Sequence, residues 1–170
     1  MEENEIKIGD QTWTSKNLDL DTYRNGDEIP QVKDKEEWAN LTTGAWCYYE
    51  NKTANGTNYG KLYNWYAVND PRGLAPKGYH IPTDNEWTIL TDKLGDKERT
   101  KMKSTFAMLP GGYRTKNGNF SSVGAYSYWW SSSEYYNYGA RYSYLYYNTG
   151  FVLRNYGYKQ NGFSVRCLRD

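Results

Sequence analysis

The sequence predicts an α+β fold, with two helices in its first half and a β-rich second half. Three observations carry that reading. Over Thr83–Leu94, Thr83 is placed to cap a helix and Glu86 stands three residues on, while Trp87, Leu90 and Leu94 recur at i, i+3 and i+7. Asn117-Gly118, between Tyr113-Arg-Thr-Lys116 and Asn119-Phe120, is the strongest short-range hairpin signal. From Tyr126 onward the chain alternates Tyr with Ser, Asn and Gly, around Trp129-Trp130, as strands and turns.

Taken in order, Ile6–Trp13 reads as two short strands around a turn at Gly9-Asp10. Asn25-Gly26 marks a second turn, closed by Pro30. A short helix follows, with Asp34 as its cap, Glu37 at capping-box spacing, Trp38 and Leu41 on its buried face and Gly44 as its end. Ala45–Tyr49 is strand-like, Asn51–Asn58 is a polar loop, and Leu62–Val68 is a second aromatic run. Gly95 stops the capped helix. A basic, polar segment, Lys97–Ser104, is read as a solvated face. Phe106–Leu109 then runs into the turn triplet Pro110-Gly-Gly112. The chain closes on Gly162-Phe-Ser-Val-Arg-Cys-Leu168, read as a strand with alternating sides. No internal repeat is visible.

A length of 170 residues fits one domain, spanning 1–170. The core is expected to be built on indoles and phenols, because seven Trp and nineteen Tyr stand against four Phe and three Met. Each such ring brings apolar area and one polar atom that needs a partner. Trp13, Trp65, Trp87 and Trp129, each beside apolar neighbours, are expected in that core. The net charge of +1 gives no footprint for nucleic acid. No apolar run approaches the roughly 18 residues of a membrane span. Met1-Glu-Glu-Asn-Glu5 is acidic and lacks the apolar stretch of a signal peptide. Cys47 and Cys167 form no CxxC motif, and the single His80 gives no multi-histidine metal site.

Six blocks, taken together, resemble the Fibrobacter succinogenes major paralogous domain. They are Gly9-Asp-Gln-Thr-Trp-Thr-Ser-Lys-Asn-Leu18, Tyr59-Gly-Lys-Leu-Tyr-Asn-Trp-Tyr-Ala-Val68, Gly78-Tyr-His-Ile-Pro-Thr-Asp-Asn-Glu-Trp87, Leu109-Pro-Gly-Gly-Tyr-Arg114, Tyr128-Trp-Trp-Ser-Ser-Ser-Glu134 and Asn161-Gly-Phe-Ser-Val-Arg-Cys167. They stand in the family's order over nearly the whole chain. One departure is the short connection of Gly95–Met108, where members usually carry a longer stretch. The resemblance implies a C-type-lectin-like fold of the formylglycine-generating-enzyme type, with the termini brought into one sheet through Ile6–Trp13 and Phe163–Leu168. It also implies a ligand surface on the later strands and loops. Residues 126–159, with eleven tyrosines, look like a variable segment of the kind rewritten by diversity-generating retroelements.

The implied function is a non-catalytic, receptor-type domain for a protein or glycan ligand, monomeric and without cofactor. Its implied place is the cell surface or another extracytoplasmic site, as part of a lipoprotein or a phage tail. Two alternatives stand beside it: a structural module of a larger surface lipoprotein, and an oxidase of the formylglycine-generating branch. The oxidase reading lacks the family's close cysteine pair and the several histidines of its iron-using relatives. The calcium-binding triplets of sugar-binding lectins are absent as well, and Asp84 and Glu86 suit the first turn of a helix better than a calcium site. Cys47 and Cys167 lie in strand-like blocks and either form a disulfide, if the protein is exported, or remain buried thiols.

Composition points to the same surface independently of the family. Tyr, Ser, Gly and Asn dominate antibody loops, where Tyr supplies contact area with few torsions to freeze. The competing expectation is that the tyrosines merely pair across strands. Eleven phenols exceed what a small core buries with every hydroxyl satisfied, so several are expected on the surface. The expected binding face is Tyr135, Tyr136, Tyr138, Arg141, Tyr144, Tyr146, Arg154, Asn155, Tyr156 and Tyr158. Leu145 and Ala140 suggest a buried contact beneath it, with Tyr147 interrupting the alternation, as at a bulge.

Overall fold

Two four-residue strands, β1 (Glu5–Ile8) and β2 (Gln11–Thr14), pair antiparallel across the Gly9-Asp10 turn, so the first hairpin is where the sequence places it. The computed structural model describes residues 5–93 and 109–170. Its further elements are α1 (Lys35–Ala39), β3 (Trp46–Cys47), α2 (Thr53–Tyr59), β4 (Leu62–Tyr63), α3 (Trp65–Val68), β5 (Tyr79–His80), α4 (Asp84–Lys93), β6 (Gly111–Arg114), β7 (Phe120–Val123), β8 (Tyr126–Tyr136), β9 (Gly139–Tyr146), β10 (Val152–Tyr158) and β11 (Leu168–Arg169). The architecture is α+β. One sheet runs β1-β2-β11-β5, a second β10-β9-β8-β6-β7, and β3 pairs with β4. In the first sheet Leu168 pairs with both Trp13 and His80, and Arg169 Nη1 reaches Glu5 Oε2 at 3.3 Å. The two ends of the described chain therefore meet.

The described helices number four rather than the two expected. Both expected helices form on their caps. Asp34 Oδ1 accepts from Glu37 N at 2.8 Å, and the Thr83–Glu86 capping box is reciprocal: Thr83 N donates to Glu86 Oε2 at 2.8 Å and Glu86 N to Thr83 Oγ1 at 3.2 Å. Leu94, Gly95, Lys97–Ser104 and 106–108 lie outside the described residues. Helix α1 ends at Asn40, not at Gly44. Gly44 instead lets the chain pass under Tyr23, since a Cβ there would fall 2.0 Å from the Tyr23 hydroxyl.

Of the two unexpected helices, α3 arises from partners far away in sequence. Asn64 splits the Leu62–Val68 run into strand and helix: its Oδ1 accepts from Ala67 N at 3.1 Å, capping α3, and also from Ala45 N at 3.0 Å. Helix α2 occupies most of the predicted polar loop and buries only Gly56, which packs on Tyr48. Ala45–Tyr49 is a strand only at Trp46–Cys47, and Tyr49 opens a 3-10 turn.

The closing segment corrects another expectation. Residues 162–168 are all buried instead of alternating, because this stretch threads between elements on both sides. Tyr63 N donates to Phe163 O at 2.9 Å, Trp130 N to Ser164 O at 3.1 Å, Leu18 N to Val165 O at 2.8 Å and Thr14 N to Cys167 O at 2.9 Å. Only Leu168–Arg169 continues as strand.

Trp13, Trp87 and Trp129 form a stack, with ring centroids 4.8 Å and 5.9 Å apart, joined by Leu90, Leu145 and Leu168. Trp65 and Trp130 anchor a second cluster, and Trp38 a third with Cys47 and Leu62. All four expected core tryptophans are buried. Four indole donors find acceptors, Trp38 to Gln160 O at 2.7 Å, Trp65 to Ser131 O at 2.9 Å, Trp129 to Asn17 Oδ1 at 2.9 Å and Trp130 to Tyr63 O at 2.8 Å, whereas the buried Trp87 Nε1 has no hydrogen-bond partner among the described residues.

No disulfide joins Cys47 and Cys167. Both are free and buried, and they belong to different clusters, Cys47 beside Trp38 and Cys167 beside Trp65. Burial pushes each thiol up to about 12, so neither is a thiolate at neutral pH. We expect the native protein to resist a thiol-reactive dye until it is unfolded, when both cysteines titrate; immediate reaction of the native form would contradict this packing.

His80 bridges the ends of the fold, with Nδ1 2.9 Å from Asp170 Oδ1 and Nε2 3.0 Å from Glu86 Oε1. Partial burial pulls its pKa down, but the hydrogen bonds to Asp170 and Glu86 outweigh this and raise it. The stability it adds is complete below its unfolded value of about 6.5 and is lost as pH rises through the folded value. The thermal midpoint of His80→Gln should therefore lie below wild type at mildly acid pH and converge with it in the alkaline range. A constant gap between the two would contradict the bridge.

Candidate functional site

The site grows out of the β8–β9 register. Tyr126 pairs with Tyr146, Tyr128 with Tyr144, and Trp130 with Tyr142, while Ser127, Trp129, Ser143 and Leu145 take the opposite face. Strand β9 therefore alternates cleanly: Ser143 and Leu145 are buried toward the tryptophan stack, and Tyr142, Tyr144 and Tyr146 are half-buried on the other side. Tyr147 lies beyond the strand and does not interrupt it. The irregularity falls in β8 instead, between Trp130 and Tyr136.

On this face the rings form a ladder. Tyr126 stacks on Tyr146 at 4.9 Å, Tyr128 on Tyr144 at 6.0 Å and on Phe163 at 5.3 Å, and Tyr113 lies 4.6 Å from Tyr128. Tyr113 is delivered by β6, whose Gly112 has φ +64° and would set a Cβ 2.4 Å from Ser121 O, so only glycine fits there. Burial pushes the Tyr142 hydroxyl up to about 12, with the neighbouring Tyr128, Tyr144 and Tyr113 adding to it. The Tyr142 hydroxyl is therefore a protonated donor at neutral pH, and burial raises the pKa of Tyr128 as well.

Beyond the irregularity in β8 a second group gathers at the end of the sheet. Tyr135 lies 4.2 Å from Tyr136 and stacks on Tyr156 at 4.4 Å; Tyr138 stacks on Tyr136 at 5.6 Å and lies 5.9 Å from Tyr158. Arg141 covers the Tyr135 ring at 3.9 Å, and Lys116 covers Tyr158 at 3.6 Å. The base is fixed by Lys159, which pairs with Glu134 and lies 4.9 Å over Trp65.

A cavity of about 360 Å³ joins the two groups. Tyr113, Tyr128, Tyr142 and Phe163 form its floor, and Tyr138, Tyr156, Gly157, Tyr158 and Asn161 complete the lining. The absence of a side chain at Gly157 makes room for Tyr142, since a Cβ there would lie 3.2 Å from that ring. The size falls at the low end of ligand pockets. Among the described residues no group of three His, Cys, Asp or Glu is placed to hold a metal ion.

Of the ten predicted face residues, Tyr135, Tyr136, Tyr138, Tyr156 and Tyr158 come together, with Arg141 beside them. Tyr136, Tyr138, Tyr156 and Tyr158 are exposed. Tyr144 and Tyr146 belong to the ladder. Arg154 turns to α4, where Nη1 donates to Thr88 Oγ1 and lies 3.7 Å from Asp84 Oδ2. Asn155 accepts from the Tyr156 amide at 2.9 Å. The reading from sequence missed Tyr113, Tyr128, Tyr142, Asn161 and Phe163; only the even spacing of Tyr142, Tyr144 and Tyr146 signalled one of them.

The family model for the Fibrobacter succinogenes major domain matches the chain in two stretches, residues 6–103 and 95–169. The seam between them falls on the segment that the sequence marks as a shortened connection. Comparison with curated proteins and with solved structures found no match. Nearly the whole described chain, including both tyrosine groups, lies within the matched residues, and the chain belongs to the Fibrobacter succinogenes major domain family.

Proposed function

We propose that the chain is a non-catalytic, receptor-type binding domain that takes a protein or glycan ligand at the tyrosine-lined end of its larger sheet. The observation that carries the reading is the cavity lined by seven aromatic rings, of which Tyr138, Tyr156 and Tyr158 are exposed, with exposed Tyr136 stacked on Tyr138 beside it. Exposed aromatic clusters of this kind mark interaction sites, and rigid phenols lose little torsional entropy on binding. The cysteine chemistry of an oxidase finds no support in two separated, protonated thiols. Termini sharing one sheet, with the tyrosines on the later strands, support a C-type-lectin-like fold of the formylglycine-generating-enzyme type. In the same reading, residues 126–159 are a retroelement-diversified segment and the domain is displayed at a bacterial surface. A reverse-transcriptase gene beside a near-copy of the coding segment would test the diversification.

The structural-module alternative draws on the ladder, whose rings satisfy one another without a ligand. The discriminating experiment offers the whole chain and a Tyr136→Ser/Tyr138→Ser/Tyr156→Ser/Tyr158→Ser variant to a glycan array and a panel of surface proteins. Binding by wild type and loss in the variant is expected. A wild-type protein that binds nothing leaves the structural module.

A further inference from the structure

Strand β10 is the outer strand of the five-stranded sheet, and among the described residues nothing pairs with its free side. Half of its amides and carbonyls therefore point away from β9, a ready template for another strand. Natural edges are usually blunted by Pro, Lys or inward charges. β10, Val-Leu-Arg-Asn-Tyr-Gly-Tyr, carries no Pro or Lys within its seven residues, and its single charge, Arg154, is held against α4 by Asp84 and Thr88. Leu153, Tyr156 and Tyr158 are exposed along it. The Tyr156 amide takes the Asn155 side chain as acceptor, a local bond that an incoming strand replaces.

The same strand is a wall of the cavity. Tyr156, Gly157 and Tyr158 line it at one side, and the floor extends inward to Tyr113. A strand added to β10 sends alternate side chains toward that face, where one of them reaches the cavity. Charge selects the occupant. Glu134 is neutralised by Lys159, and Asp84 faces Arg154. Arg141 and Lys116 have aromatic rings as partners and no carboxylate partner among the described residues. Lys116, over the cavity-lining Tyr158, and Arg141, over Tyr135 beside Tyr156, thus leave two cations without a carboxylate partner among the described residues at this end of the sheet. A second copy of this chain would bring the same positive surface against itself, whereas an acidic strand complements it.

Resting on the binding-domain reading above, we infer that the ligand is an extended acidic peptide segment, which adds to β10 as an extra strand and places one side chain in the tyrosine cavity. The test selects a displayed library of random linear peptides on the immobilised whole chain, then resynthesises the best binders for anisotropy titration. Asp and Glu should be enriched over the starting library. N-methylation of alternate peptide residues should abolish binding in one phase and spare it in the other, because only one set of amides faces β10. This readout lies on the peptide and does not depend on a variant folding. Arg141→Glu/Lys116→Glu, checked for an unchanged melt, should weaken binding by roughly tenfold or more.

Neutral or basic consensus peptides, or binding indifferent to both methylation phases, would overturn the inference. So would self-association of the chain at the concentrations used, which would assign the edge to a second copy. A library that yields no binder, with a glycan or folded protein captured in the earlier panel, refutes the strand mode and leaves the receptor reading standing. Failure in both experiments removes the two together.

Discussion

Trp129→Ala should cost about 3–5 kcal/mol of unfolding free energy, as for other fully buried large aromatics. Trp129 is completely buried, stacks on Trp87, and lies on the inward face of β8. It therefore joins the first sheet, through Trp13 and Leu168, to the second, and truncation opens a cavity at the seam between them. Its indole also shares Asn17 Oδ1 with the Arg166 guanidinium, at 2.9 Å and 2.7 Å. Trp129→Phe keeps most of the volume and gives up that bond, so it should cost much less, about 1–2 kcal/mol. Urea denaturation of both variants checks the order. Equal losses would place the energy in the hydrogen bond rather than in packing.

Arg114→Lys is expected to be nearly as damaging, at about 3–5 kcal/mol, although it conserves charge. Arg114 is 1% exposed and has no carboxylate partner among the described residues. Instead Nε donates to Gly118 O at 3.0 Å, Nη1 to Val32 O at 2.7 Å, and Nη2 to Lys33 O at 2.9 Å and Asp34 O at 3.0 Å. It also lies 4.4 Å over Trp38 and 5.0 Å over Phe120. One planar fork thus fastens the entry to α1 onto the β6–β7 hairpin. A lysine ammonium cannot reach the same spread of carbonyls, and burial there disfavours its charge. Arg114→Met, which removes the charge with the donors, should be no worse than Arg114→Lys. A lysine variant as stable as wild type would show that the fork geometry contributes nothing.

What the sequence reveals follows the range of the interaction responsible. Helix α4 and the β6–β7 hairpin are legible because cap, period and turn lie within a few residues of one another. Helix α3 depends on Asn64 reaching back to Thr43 and Ala45, and α2 is polar throughout with a single buried glycine, so no local period announces either. Residues 162–168 lose their expected alternation because partners arrive on both sides from β2, β4 and β8. The site divides in the same way. Its edge cluster is visible in composition, since Tyr135, Tyr136, Tyr138, Tyr156 and Tyr158 lie in one Tyr-rich stretch. Its cavity floor is not, because Tyr113 and Phe163 come from a distant hairpin and from the closing segment. Arg154 stands out in the sequence by residue type alone, while its direction is set by Asp84 and Thr88 on a helix some seventy positions earlier.

The tyrosines thus divide into a ladder that builds the sheet and an exposed cluster available to a ligand. Equilibrium urea unfolding of the Tyr136→Ser/Tyr138→Ser/Tyr156→Ser/Tyr158→Ser variant tests that division most directly. Four exposed positions should together cost less than about 2 kcal/mol, with an unchanged denaturant slope. A loss matching that of Trp129→Ala would show that these rings hold the sheet together, and would contradict their assignment to binding.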